Sequence, residues 1–121
     1  MNGFIVPDIH WIVIIIACCF MLLDVITGFV QAVANKEISS TIMKQGLFHK
    51  CGFMLAIVFG CLCEYAMLYV NLGLTAPIQD AVCVYIITLE IISVIENLAK
   101  ISPTLNNSKF MDLFSNVKGK E

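Results

Sequence analysis

Three carboxylates stand out, because Asp24, Glu64 and Glu90 each lie inside a long run of apolar residues. A charged side chain near the centre of a bilayer costs on the order of 2.5–3.5 kcal/mol on insertion scales. Acids in such runs therefore carry protons, hydrogen-bond to neighbouring helices or face water. The chemistry open to them is helix association, proton movement or the lining of a wet lumen. On this reading no lysine lies comparably deep in the same runs to pair with them. Each acid also sits in a stripe of polar or small residues at helical spacing. Asp24 aligns with Gly28 and Ala32, with Thr27 and Gln31 beside them. Gly52, Ala56 and Gly60 repeat every fourth residue and run into Glu64, while Glu90 aligns with Ser93 and Asn97. Small residues at that spacing let helix backbones approach closely, and polar ones bond across helices. Two arrangements satisfy such stripes. Either they join the three helices of one subunit, or copies of the chain assemble because three short helices cannot satisfy three carboxyl stripes alone. Glu96 lies off its stripe and four residues before Lys100, a spacing that suits an interfacial ion pair.

The elements that carry these stripes follow from composition. Of 121 residues, 60% are hydrophobic and 13% charged, against roughly 45–50% and about 25% in a soluble domain. A chain this short has too little interior to hide that excess, so lipid must be its solvent. The reading is an all-α membrane protein with one domain over residues 1–105 and a tail over residues 106–121. Three spans are predicted, at about residues 9–34, 47–72 and 77–100. At 1.5 Å per residue the first reaches roughly 35–40 Å, enough to cross a hydrocarbon core of about 30 Å with tilt. Pro7 and Asp8 suit a helix start, and Trp11 sits where an interfacial aromatic anchor belongs. A secretory signal peptide is not expected, since neither a basic segment nor an Ala-x-Ala-like site flanks this run.

The link Asn71-Leu72-Gly73-Leu74-Thr75-Ala76-Pro77 is short enough to make the second and third spans an antiparallel hairpin, with Gly73 available as a C-terminal cap. Residues 35–46 are polar and place Ile38, Ile42 and Met43 at helical spacing, which reads as a short surface helix. In the tail, Phe110, Leu113, Phe114 and Val117 fall at i, i+3, i+4 and i+7 among lysines. That segment either lies in the headgroup layer as an amphipathic helix or stays solvated.

Orientation follows from the basic residues, because those in short loops are retained on the cytoplasmic side. Lys36, Lys44 and Lys50 flank the first loop, and Lys100, Lys109, Lys118 and Lys120 follow the third span. Neither the segment before the first span nor the link between the second and third has any. With three spans, the N-terminus is expected outside and the C-terminus in the cytoplasm.

Other functional classes find little support. A formal charge of −2 is too small to argue for nucleic acid. His10 and His49 fall on opposite sides of the membrane in this topology and cannot share a metal. The cysteines, Cys18-Cys19, Cys51, Cys61-x-Cys63 and Cys83, lie mostly within spans, lack zinc spacings, and read as small apolar side chains. No catalytic set, metal, cofactor or glycine-rich phosphate loop is expected. A small proton-coupled transporter is the strongest competitor, since intramembrane acids also build proton relays. Three spans without internal repeats count against it.

The residues also carry a resemblance. Leu23-Asp24-Val25-Ile26-Thr27-Gly28, then Ala32, Glu37-Ile38-Ser39-Ser40 and Gly46-Leu47-Phe48-His49-Lys50 resemble the N-terminal half of the toxin-secretion and phage-lysis holin family. Glu90-Ile91-Ile92-Ser93-Val94-Ile95-Glu96-Asn97-Leu98-Ala99-Lys100 is similar to the end of that family's last span. The likeness covers roughly residues 20–105. The departures are His49, where a second basic residue is common, and Ile101-Ser102-Pro103, where a glycine and a later proline are usual. The resemblance implies a multi-pass protein of the bacterial cytoplasmic membrane, phage-encoded or prophage-derived, that gathers as a homo-oligomer and opens lesions at a set time. Its cargo would be an endolysin or, in some members, a large toxin. An antiholin, which joins holin arrays without opening them, shares the same pattern and is either an alternative identity or a partner.

Overall fold

A computed structural model of the chain describes residues 9–106 and 108–114. Pro7, Asp8, Val117, Lys118 and Lys120 lie outside the described residues. Three long helices run up, down and up: α1 over Trp11–Ala34, α2 over Ser40–Tyr69 and α3 over Ile78–Ile101. A 3₁₀ turn over Pro103–Asn106 and a five-residue helix, α4, over Ser108–Asp112 follow. All three long helices are long and apolar enough to cross a membrane, and they form an all-α membrane fold.

The main departure from expectation is the start of α2. Residues 40–46 do not form a separate surface helix; they are the first turns of α2 itself. Ser39 supplies the reason, because its hydroxyl accepts the Ile42 amide at 3.3 Å and caps the helix there. Gly46 costs about 1 kcal/mol of helix propensity, too little to interrupt a helix already capped and running into the apolar residues that follow. The far end is also shorter than expected. α2 stops at Tyr69 with Val70 extended as its C-cap. Gly73 is therefore not the cap but lies in the link at φ +75, where its amide donates to Asn71 Oδ1 at 3.1 Å. Within the described residues the tail's helical spacing appears as α4, where the rings of Phe110 and the following Phe114 meet edge to face at 5.4 Å.

The α1–α2 turn is tight. Glu37 N donates to Ala32 O at 2.8 Å and Lys36 N to Val33 O at 3.2 Å, the paired bonds of a Schellman ending. Lys36 holds the left-handed position at φ 56, where glycine is usual.

α3 is the centre of the bundle. It contributes as many buried residues as α1 and α2 together. α1 packs along it, α2 packs against it over a shorter stretch, and the backbones of α1 and α2 come close at few points. Ala17, Met21, Phe53, Ile57, Cys83 and Ile86 make the apolar core where the three meet. Along the helices the outward surface is largely apolar, with Ile12, Leu22, Phe29, Leu55, Phe59 and Leu62 exposed. So wide an apolar surface is untenable in water and ordinary against lipid tails.

The small-residue stripe of α2 divides along its length. Gly60 is buried, and a Cβ there would stand 3.1 Å from Gln79 Cα of α3, so the two backbones touch. Ala56 packs against the core, whereas Gly52 has nothing within 4 Å of a Cβ and faces outward. The two glycines should therefore respond differently to the same change. Gly60→Leu is expected to lower stability by about 1–3 kcal/mol through overpacking. Gly52→Leu should stay within about 0.5 kcal/mol of the parent or gain. The midpoint of unfolding of the micelle-reconstituted protein by a denaturing detergent measures both.

Candidate functional site

The acids of α1 and α3 are paired by a lysine that the sequence reading leaves at the margin of the second span. Because α2 begins at Ser40, Lys50 sits nearly three turns into it, about 15 Å along the axis. Its Nζ donates to Asp24 Oδ2 at 2.6 Å and to Glu90 Oε2 at 2.6 Å. The expectation that no lysine lies deep enough to meet these acids is thus corrected. Its error was to start the span at residue 47, which made Lys50 a flanking residue. The pairing is well enclosed: the Glu90 side chain is 2% exposed, and those of Lys50 and Asp24 are 13% and 16% exposed.

Asn97 completes the network from α3. Its Nδ2 donates to Asp24 Oδ1 at 2.9 Å and to Thr27 Oγ1 at 3.0 Å. The Thr27 hydroxyl in turn donates to Leu23 O at 2.9 Å, one turn back on α1. Gly28 lies directly beside Asn97, with room for an ordinary contact. Asp24, Thr27, Gly28, Glu90 and Asn97 are therefore brought together. Among the described residues no buried side-chain nitrogen or oxygen lacks a partner. One chain thus satisfies its own acids, so these groups alone do not require a second copy.

Glu64 belongs elsewhere. It lies at the opposite end of the bundle, where its Oε1 accepts the backbone amide of Gln79 at 3.2 Å. Gln79 is in the first turn of α3, whose N-cap, Pro77, has no side chain able to take an orphan amide. A carboxylate from α2 takes that role and suits the positive end of the α3 dipole. The same corner holds a cluster that sequence spacing gave no sign of. His10 Nδ1 lies 2.7 Å from Asp80 Oδ2, and the His10 amide donates to Gln79 Oε1 at 3.3 Å. Buried Gln79 also donates from Nε2 to Cys83 Sγ at 3.4 Å within α3, so α2, α3 and the start of α1 meet at one residue, through its side chain and its backbone amide. All six cysteines are free thiols.

At the Lys50 end the first turns of α2 stand away from the other helices. Residues 40–49 are exposed, and a cleft of about 590 Å³ opens between them, α1 and α3. Gln31 and Ser93 line it, and Asp24, Lys50 and Asn97 form its floor. Glu96 and Lys100 also line it, and they form no ion pair with each other. Lys36 and Lys44 lie exposed by the same end.

The geometry is thus three membrane-length helices with an enclosed ammonium–dicarboxylate cluster open to one side. The sequence pattern of the bacteriophage holin family matches residues 4–114. The chain belongs to that family. No curated protein and no solved structure matches it. Holins are not enzymes but membrane proteins of phage lysis, and this one is a multi-pass protein of the cytoplasmic membrane. The transporter reading gives way to that membership. In this holin the groups read from sequence as candidates for proton relay are instead partners in helix packing.

Removing the ammonium alone should expose how much the cluster matters. Lys50→Met leaves two enclosed carboxylates facing each other and is expected to cost about 3–5 kcal/mol, the usual loss when one member of a buried pair is deleted. Adding Asp24→Asn and Glu90→Gln to the same chain should restore most of it. Detergent-unfolding midpoints of the single and triple variants decide the matter, and equal losses in both would show that the cluster is not coupled.

Proposed function

We propose that this holin accumulates as closed three-helix units, assembles into homo-oligomeric arrays, and there opens lesions that release a cytoplasmic endolysin or a large toxin. The observation that supports this most is the mode of attachment of α2. Its backbone comes close to that of α1 at few points, and at the cleft end its tie to both partners is the Lys50 ammonium between Asp24 and Glu90. A single polar anchor on the loosest helix makes a two-state device. While it holds, the acids are answered within one subunit and the outer surface along the helices is largely lipid-compatible. When it parts, Lys50, Asp24, Glu90 and Asn97 must find water or another copy, since none is tolerable in hydrocarbon. Neighbouring subunits in an array supply both, and their facing stripes become the wall of a lumen.

The lysine distribution supports an orientation for these units. The α1–α2 turn and the end of α3 share one end of the bundle, with Lys36, Lys44 and Lys100 exposed there. Basic residues of short loops stay cytoplasmic, which puts the C-terminus inside and the N-terminus outside. The membrane potential then acts on the cluster, at about 2.3 kcal/mol per charge moved through 100 mV. Collapse of the potential removes that contribution and shifts the balance between the closed and parted forms.

Inducible expression beside a cytoplasmic peptidoglycan hydrolase tests the reading. Abrupt growth arrest with release of the hydrolase is expected, with Asp24→Leu and Glu90→Leu each shifting the onset well outside the spread of replicate cultures. Arrest of a co-expressed holin's lysis without any release would make this chain an antiholin. Release whose timing ignores both substitutions would defeat the proposed device.

A further inference from the structure

The cleft beside α2 is large and charged enough to take a ligand. Its walls run from the α1–α2 turn and the last turn of α3, which lie at a bilayer surface, down to the Asp24–Lys50 pair. Its volume of about 590 Å³ falls within the roughly 300–1,000 Å³ of small-molecule pockets. We propose that it holds the headgroup of one zwitterionic aminophospholipid, with the acyl chains lying against the apolar wall.

Charge complementarity carries the argument. Near the mouth, Glu37 and Glu96 stand with Lys100, and none of the three enters an ion pair among the described residues. An anionic ligand would answer Lys100 and be repelled by the two acids. A simple cation would do the reverse. A phosphate joined through two carbons to a primary ammonium answers both signs at once, with charge-assisted hydrogen bonds at each end. The ammonium must keep its hydrogens to donate them, which separates it from a trimethylated headgroup of the same charge.

The lining also favours a lipid over a soluble molecule or a second copy of the chain. Phe29, Ile42 and Leu47 line the cleft and remain exposed, a surface suited to acyl chains and not to a free headgroup. A neighbouring copy would have to present charges of both signs to the mouth. A copy docked through its lipid-facing helix surfaces would present Ile12, Leu22, Leu55 and Leu62, which answer neither sign. The proposal does not depend on the lysis reading, since a holin and an antiholin would bind the same lipid.

The test uses the full-length protein in vesicles of equimolar phosphatidylethanolamine, phosphatidylcholine and phosphatidylglycerol, released into gentle detergent and weighed intact by mass spectrometry. One phosphatidylethanolamine per chain should be retained, about tenfold above either competitor, the difference that one charge-assisted hydrogen bond makes. Glu37→Gln with Glu96→Gln should bring phosphatidylethanolamine down to the phosphatidylcholine level. Lys100→Gln should weaken retention of all three lipids, Lys100→Arg should restore it, and Glu64→Gln at the far end should change nothing. Circular dichroism of each variant separates lost binding from lost fold. Equal retention of the three lipids by the parent, indifference to the Glu37 and Glu96 changes in folded protein, or displacement of the lipid by soluble phosphoethanolamine would overturn the assignment. So would release as dimers carrying no lipid.

Discussion

One ammonium between two carboxylates organises this bundle. Lys50 of α2 reaches Asp24 of α1 and Glu90 of α3 at the same distance, 2.6 Å. Each of the three groups would be expensive in hydrocarbon without the others. The register of the helices follows from that constraint, because the pairing is possible only if all three residues share one level. The apolar core around Met21, Ile57 and Ile86 adds packing, but in lipid such contacts discriminate weakly between one register and the next. Polar groups that must meet discriminate strongly. Asn97 tightens the choice by holding Asp24 and Thr27 together.

Much of this was legible in the residues. The three spans, the acids within them and the polar partners Thr27 and Asn97 follow from hydropathy and helical spacing. What was not legible is depth. Whether Lys50 flanks a membrane or sits inside a helix depends on where α2 begins, and the polar composition of residues 35–46 conceals a start fixed by one serine cap. The same difficulty hides Glu64, whose alignment with Gly52 and Gly60 says nothing of its bond to a backbone amide on another helix. Spacing places residues on a face, but only packing decides how far along that face a neighbour extends. Gly60 lies against α3 and Gly52 does not, because α2 leaves the bundle toward its N-terminal end.

The two ends of the bundle are thus built on different principles. At the Glu64 end, Gln79, His10 and Asp80 join all three helices through several short-range bonds. At the other end, α2 is joined through one long side chain above an open cleft. α2 itself is tied by one polar side chain at each level, Glu64 to a backbone amide of α3 and Lys50 to carboxylates of α1 and α3.

The Lys36 turn has a consequence of its own. A lysine in the left-handed region gives up about 1–2 kcal/mol that glycine would not, and the Schellman bonds around it are those a glycine would also make. The turn therefore keeps an ammonium at the tip of the α1–α2 hairpin at the expense of its own backbone comfort. A hairpin with a charged tip cannot be pulled through the bilayer without dragging that charge along. The cost of that charge in hydrocarbon opposes any change of the side on which the tip rests.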